Sequence, residues 1–286
     1  MRLFVKHTND FHYEKPVFLE PHVIRMRPSE NPAQRLSNYD LQLTPQPAGS
    51  CDRLDLEGNV ARRVWFSDLT ATLRAVVQFE VETSRENPFD FLMDPVGESL
   101  PVKYGQHDSP DFIDACRRLP SDWNDSAIHA FAQEIATEAN MQTTTFLTLL
   151  TSRIATRCEL IYRQDGEPLR PVETLNNRTG ACRDHAVLFM AAARMMGLAS
   201  RFVSGYCRRT DIDESDDGYH SLHAWAEAYL PGVGWQGYDP SLGIAIGDAH
   251  VSLAASADPL QAAPISGTYR GQAESTITTR VEVTCG

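Results

Sequence analysis

The strongest constraint on this chain is a cysteine placed directly ahead of a long apolar stretch. Cys182 lies in Thr179-Gly180-Ala181-Cys182-Arg183-Asp184-His185-Ala186, and Cys182, Ala186, Phe189, Ala193 and Met196 make one stripe at helical spacing. Gly197 supplies a stop signal. The pattern predicts a helix from Cys182 to about Met196 that opens on a thiol. A cysteine attacks as its thiolate, and the partial positive charge of a helix N-terminus favours that form. A buried structural cysteine at a helix start is the plainer alternative, because free cysteines are among the most buried residues.

Two downstream groups could complete a nucleophilic site. In His223–Leu230, the residues His223, Trp225, Glu227 and Tyr229 share one strand face, and Ala224, Ala226, Ala228 and Leu230 share the other. The small, aliphatic face is expected to pack on other elements, leaving His223 beside a more polar space. Asp239 ends the next strand, Trp235–Tyr238, and precedes Pro240, which holds its backbone extended. A carboxylate there could fix the tautomer of an imidazole. The intervening Pro231-Gly232-Val233-Gly234 signals a hairpin. If Leu230 pairs with Trp235, however, Asp239 falls opposite Ala226 and away from His223, so a bulge or shifted register is needed to bring the two together.

The rest of the chain sets the frame. Short β segments (Arg2–Thr8, Val23–Arg27, Leu41–Thr44, Val60–Phe66, Leu73–Thr83) separated by turn formers predict a sandwich-like antiparallel domain. A proline-rich stretch follows, then amphipathic helices over Ser126–Ala139 and Phe146–Cys158. Pro168 and Pro171 read as breaks, Ser200–Tyr206 as a strand and Ser275–Thr284 as an edge strand. A chain of 286 residues, 42% hydrophobic, can bury one large core or two modest ones. Its formal charge of -12 argues against non-specific nucleic-acid binding. No stretch approaches a membrane span, no signal-peptide core is visible, and the six cysteines form no CxxC pair. A cytoplasmic protein with reduced thiols is therefore expected.

The blocks Arg178–Ala186, Phe202–Tyr206, His223–Glu227 and Gly234–Pro240 resemble the core of the bacterial transglutaminase-like family, relatives of papain-like cysteine peptidases. His22–Pro28, Asp55–Asn59 and the late Pro264–Gly271 resemble that family's front domain. The resemblance implies an α+β protein: an N-terminal antiparallel β-sandwich-like domain and a transglutaminase/papain-like core, its nucleophile helix packed on an antiparallel sheet. Residues 1–105 would be the N-terminal domain and linker, and 106–286 the catalytic domain with a C-terminal β tail. Cys182 would be the nucleophile, His223 the general base and later acid, and Asp239 the orienting carboxylate. Asp184, His185, Trp225 and Tyr206 become candidates for substrate contact or support of the site, with helix capping the expected role of Asp184. His185 and Ala181 depart from the residues usual in the family.

The activity implied is cysteine-dependent acyl transfer from an amide bond through a thioester, on a peptide or protein substrate and without a cofactor. Hydrolysis is expected over transamidation, because excluding water takes a built tunnel. One oxyanion donor would be the Cys182 N–H; Trp123, Tyr162 and the neighbourhood of Asn176 are candidates for a second. The rival reading is a catalytically idle module of the same fold that binds a peptide or partner protein. Asp211–Gly218 has the composition of a calcium loop but lacks its glycine and final glutamate, and its place ahead of His223 suits a lid. His220-Ser221-Leu222-His223 lacks the HExxH spacing, and no zinc site is expected.

Overall fold

A computed structural model describes residues 1–105, 108–208 and 222–286. Six strands come first: β1 (Arg2–Leu19), β2 (His22–Ile24), β3 (Gln34–Thr44), β4 (Gly49–Leu54), β5 (Val60–Trp65) and β6 (Leu69–Thr83). Helices α1 (Pro110–Arg117), α2 (Ser126–Glu138) and α3 (Thr143–Arg157) follow, then β7 (Glu159–Leu160), α4 (Pro171–Asn177), β8 (Thr179–Gly180) and α5 (Cys182–Met195). Strands β9 (Ser200–Cys207), β10 (His223–Leu230), β11 (Gly234–Asp239), β12 (Ile244–Ala245) and β13 (His250–Ser256) precede the closing β14 (Ile265–Ser266), β15 (Tyr269–Arg270) and β16 (Ser275–Cys285).

The front domain is built on strict alternation. Leu73, Ala75, Val77, Phe79 and Val81 of β6 are buried while their neighbours face outward. β6 lies between β1 and β3, and the smaller sheet β14-β2-β5-β4 supplies Ile24 and Val64 to the same apolar cluster. The last strand, read as a tail of the core, instead pairs antiparallel with β1 from Leu3↔Cys285 to Tyr13↔Ser275. Both ends of the chain therefore lie in one sheet.

The core sheet runs β12-β11-β10-β9-β13 with antiparallel pairing throughout. Ala224, Ala226, Ala228 and Leu230 pack with Phe189 and Ala193 of α5, and α2 and α3 complete that layer. Small side chains on β10 let the helix approach the sheet closely. Trp225 lies among Val203 and Ala255. Gly205 makes its seat possible, since a Cβ there would meet the indole at 2.5 Å and the Val251 carbonyl at 2.1 Å. Tyr206, Val251 and Leu253 join the front domain's apolar cluster, so the two halves share packing.

Two differences from the sequence reading have plain causes. Pro171 does not break the chain; it starts α4 at a first-turn position, where its missing N–H costs nothing. His250–Ser256, in the Ala/Ser/Pro-rich stretch from Ala249 where no strand is expected, pairs with β9 because a strand already paired on one edge offers its other edge to a segment distant in sequence. The calcium-like segment Asp211–Gly218 and His220 lie outside the described residues. Among the described residues, no helix is long and apolar enough to cross a membrane.

Candidate active site

α5 begins at Cys182, and Asp184 fixes that start. Its Oδ2 accepts the Ala181 N–H at 2.7 Å, and its Oδ1 accepts the Leu169 N–H at 2.8 Å and Arg163 Nη2 at 2.7 Å. The carboxylate is fully buried. It caps the helix and ties the preceding loop to it, and it does not line the cleft onto which Cys182 opens.

The register of β10 with β11 decides whether His223 and Asp239 meet. Leu230 pairs with Gly234 rather than Trp235, and Ala226 pairs with Tyr238. Gly232 and Gly234 both have positive φ, at 78° and 89°. The three-residue loop closed by a left-handed glycine shortens the hairpin by one residue. That single step moves Asp239 from the face of Ala226 to the face of His223 and Trp225. His223 and Asp239 are then diagonal neighbours across the pair.

His223 Nε2 donates to Asp239 Oδ2 at 2.6 Å, and the same oxygen accepts from His250 Nε2 at 3.1 Å. The other carboxylate oxygen accepts from the Ser241 hydroxyl at 2.6 Å and from the N–H groups of Ser241 (3.0 Å) and Leu242 (3.2 Å). Burial of Asp239 works against its charge. The positive charge on His223 and the hydrogen bonds from both imidazoles outweigh it and hold the carboxyl well below the ordinary range. Burial likewise pulls His223 down. The charge and hydrogen bond of Asp239, with a hydrogen bond and charge from Cys182, push it up to about 10. The ring is therefore an imidazolium at neutral pH, between thiol and carboxylate.

His250 escaped the sequence reading. Burial lowers its pKa, so it sits neutral behind Asp239 and donates through Nε2, with Nδ1 buried and without a partner among the described residues. The available signal was the alternation of Val251 and Leu253 after it, which marks a strand; its partner β9 is too distant in sequence to infer. His223, Asp239 and His250 also offer ligand atoms within 4.8 Å of one another. Both Nε2 atoms are directed at one oxygen as donors, though, whereas a metal needs lone pairs converging from about 2.1 Å. Replacing His250 by phenylalanine removes one donor to Asp239. The loss is expected to lower kcat roughly tenfold with little change in KM, and to move the alkaline limb of the pH–rate profile upward. An unchanged kcat and limb would count against a positioning role.

The remaining candidates divide. Trp225 is buried edge-on against His250, ring centroids 5.3 Å apart, and does not line the cleft. His185 is fully buried beside Gly180; burial takes its pKa down to about 4, and neither ring nitrogen has a partner among the described residues. Tyr206 is buried and bonds His7 Nδ1 at 2.8 Å. His7 Nε2 in turn donates to Asn9 Oδ1 at 3.2 Å, and Thr279 Oγ1 donates to the same oxygen at 2.9 Å. These inward polar positions on β1 and β16 were not singled out from sequence. They carry the front domain to the site.

Cys182 and His223 open on a cleft of about 920 Å³ between the two halves. Its lining includes Leu160, Ile161, Tyr162, Leu242 and Ile244 from the core, and His7, Asn9, Phe11, Ile277 and Thr279 from β1 and β16. Of the candidate second oxyanion donors, Tyr162 borders the cleft, whereas Trp123 is buried under Arg194 and Asn176 is exposed on α4.

An α+β core with a cysteine-led helix on an antiparallel sheet defines a cysteine-based catalytic fold. Residues 129–240 match the transglutaminase-like superfamily, and residues 3–82 match the bacterial transglutaminase-like N-terminal region. The chain belongs to the transglutaminase-like superfamily, with the bacterial front region ahead of its core. A solved structure from Cytophaga hutchinsonii, described as a proposed cysteine protease, superposes with a TM-score of 0.73. The match is 20% identical and covers 99% of this chain and 90% of that one. Uncharacterised proteins of Mycobacterium leprae (31% identical over 116 residues) and Mycobacterium tuberculosis (32% over 119) align with 40% and 39% of this chain. The matched part spans only about two fifths of each of these relatives' length, 40% and 38%.

Proposed function

We propose that this protein is a cysteine amidase or peptidase whose acyl intermediate is a thioester on Cys182. The reading is carried by His223. One ring nitrogen bonds buried Asp239 at 2.6 Å, the ring also hydrogen-bonds Cys182, and the thiol faces an open cleft. Thiolate Cys182 attacks the amide carbon, and the carbonyl oxygen takes the negative charge. The Cys182 N–H, in the first turn of α5, has no acceptor within its helix and donates to that oxyanion in this scheme. Imidazolium His223 gives its proton to the leaving nitrogen as the C–N bond breaks. Neutral His223 then takes a proton from water, whose oxygen attacks the thioester and releases the acid, leaving thiolate Cys182 and imidazolium His223 as at the start. An amine in place of water would give transamidation, and the cleft, open to solvent, favours water. Asp239 keeps the ring oriented through both half-reactions.

Trapping tests the reading. Incubation with libraries of peptides and primary carboxamides, followed by acid quench, is expected to leave an acyl mass on the tryptic peptide containing Cys182. Hydroxylamine should remove it. Acylation on any other cysteine, or on none under turnover, would sink the proposal.

A further inference from the structure

Among the described residues, the lining of the cleft that exposes Cys182 is cationic, in a strongly acidic chain. The sequence has 38 aspartates and glutamates against 26 lysines and arginines. Among the described residues, no carboxylate side chain lines this cleft, while Arg163 and Arg183 both do. The two arginines are committed differently. Arg163 donates through Nη2 to buried Asp184 at 2.7 Å and through Nη1 to the Glu167 carbonyl at 2.9 Å. Arg183 donates through Nη2 to the backbone carbonyl of Asp165; among the described residues its buried Nε has no partner and no carboxylate lies within ion-pair distance. Burial lowers its pKa and the Arg163 charge adds to that, while Cys182, Asp184 and Asp165 oppose. Asp184 already answers Arg163, and Asp165 is exposed, where water screens its charge. Among the described residues, a half-buried guanidinium one residue after the nucleophile thus stands on the cleft wall without a carboxylate partner. Guanidinium binds carboxylates through paired, charge-assisted N–H bonds. Elsewhere in the lining, His7 is held neutral by burial, and Asn9 and Thr279 are uncharged polar groups.

We propose that Arg183 is an anion-recognition residue and that the acyl donor is an acidic peptide with a carboxylate close to the carbonyl attacked by Cys182. The inference rests on Cys182 being the nucleophile. A different role for Arg183, holding Cys182 as thiolate, changes its reactivity toward charged and neutral reagents alike. An anion site changes their ratio.

The test needs no known substrate. The full-length protein is alkylated at pH 7 with iodoacetate or with iodoacetamide, each losing iodide as the S–C bond forms, and the two rate constants at Cys182 are read by mass spectrometry. The iodoacetate-to-iodoacetamide ratio is expected to exceed that of free cysteine by roughly tenfold and to drop at least about fivefold in Arg183→Gln. The His223 charge also raises the wild-type ratio, so the difference between the two proteins isolates Arg183. Arg183→Met, which keeps the aliphatic stem, takes the place of Arg183→Gln if the latter does not fold. An unchanged ratio in the variant, with rapid iodoacetamide reaction, overturns the inference and leaves the nucleophile reading standing. If neither reagent modifies Cys182 faster than buried Cys158, both fall.

Discussion

Cys182→Ala is expected to remove turnover by at least about 10⁴-fold, because the thioester route disappears with the sulfur. Stability should change little. Cys182 is only partly buried and packs at the edge of the core, so truncation to alanine empties little space. A melting temperature within about 3 °C of wild type is the expected companion result. Assay of the best substrate from trapping, beside a thermal melt, measures both. Retained activity with a melt lowered by much more than that would make Cys182 a packing residue.

Asp239→Ala should cost stability as well as rate, and here the two effects are inseparable. The carboxylate is fully buried and accepts from two imidazoles, one hydroxyl and two N–H groups. Deleting it strands all five donors and leaves the His223 charge unanswered, which is expected to destabilise by about 3–5 kcal/mol. Turnover should drop by roughly 10³–10⁴-fold as His223 loses its orientation. The pH dependence carries a sign. His223 is raised in the folded state, so its contribution is complete below about 6.5, the unfolded value, and fades as pH rises through about 10. Asp239 is lowered, so its contribution holds above the ordinary carboxylate range and is lost only in stronger acid. Chemical denaturation from pH 5 to 10 should show wild type losing stability on the alkaline side and Asp239→Ala nearly flat. Parallel curves would mean that the pair is not coupled as drawn.

The site was legible where local pattern encodes it. The helix opening on Cys182 followed from an apolar stripe at helical spacing, and the strand carrying His223 from four small or aliphatic residues on alternate positions. The meeting of His223 with Asp239 was not legible. A four-residue loop puts the carboxylate on the wrong face, and only the left-handed backbone of Gly234 corrects it. The two glycines flanking Val233 were the available signal. His250 and the His7–Asn9–Tyr206 chain were hidden for another reason, since each is set by strands distant in sequence.

By itself, the sequence determined the α+β layout, the order of thiol, imidazole and carboxylate, and the front β-domain. The helices, strands and turns rest on periodicities and turn residues within a few positions of one another, and the α+β layout on the resemblance carried by the motif blocks. Tertiary structure alone decided the hairpin register, the return of the last strand to the first, and the second imidazole behind Asp239. Pairing partners far apart along a chain are chosen by the packing of whole sheets, and no short window of residues contains that choice.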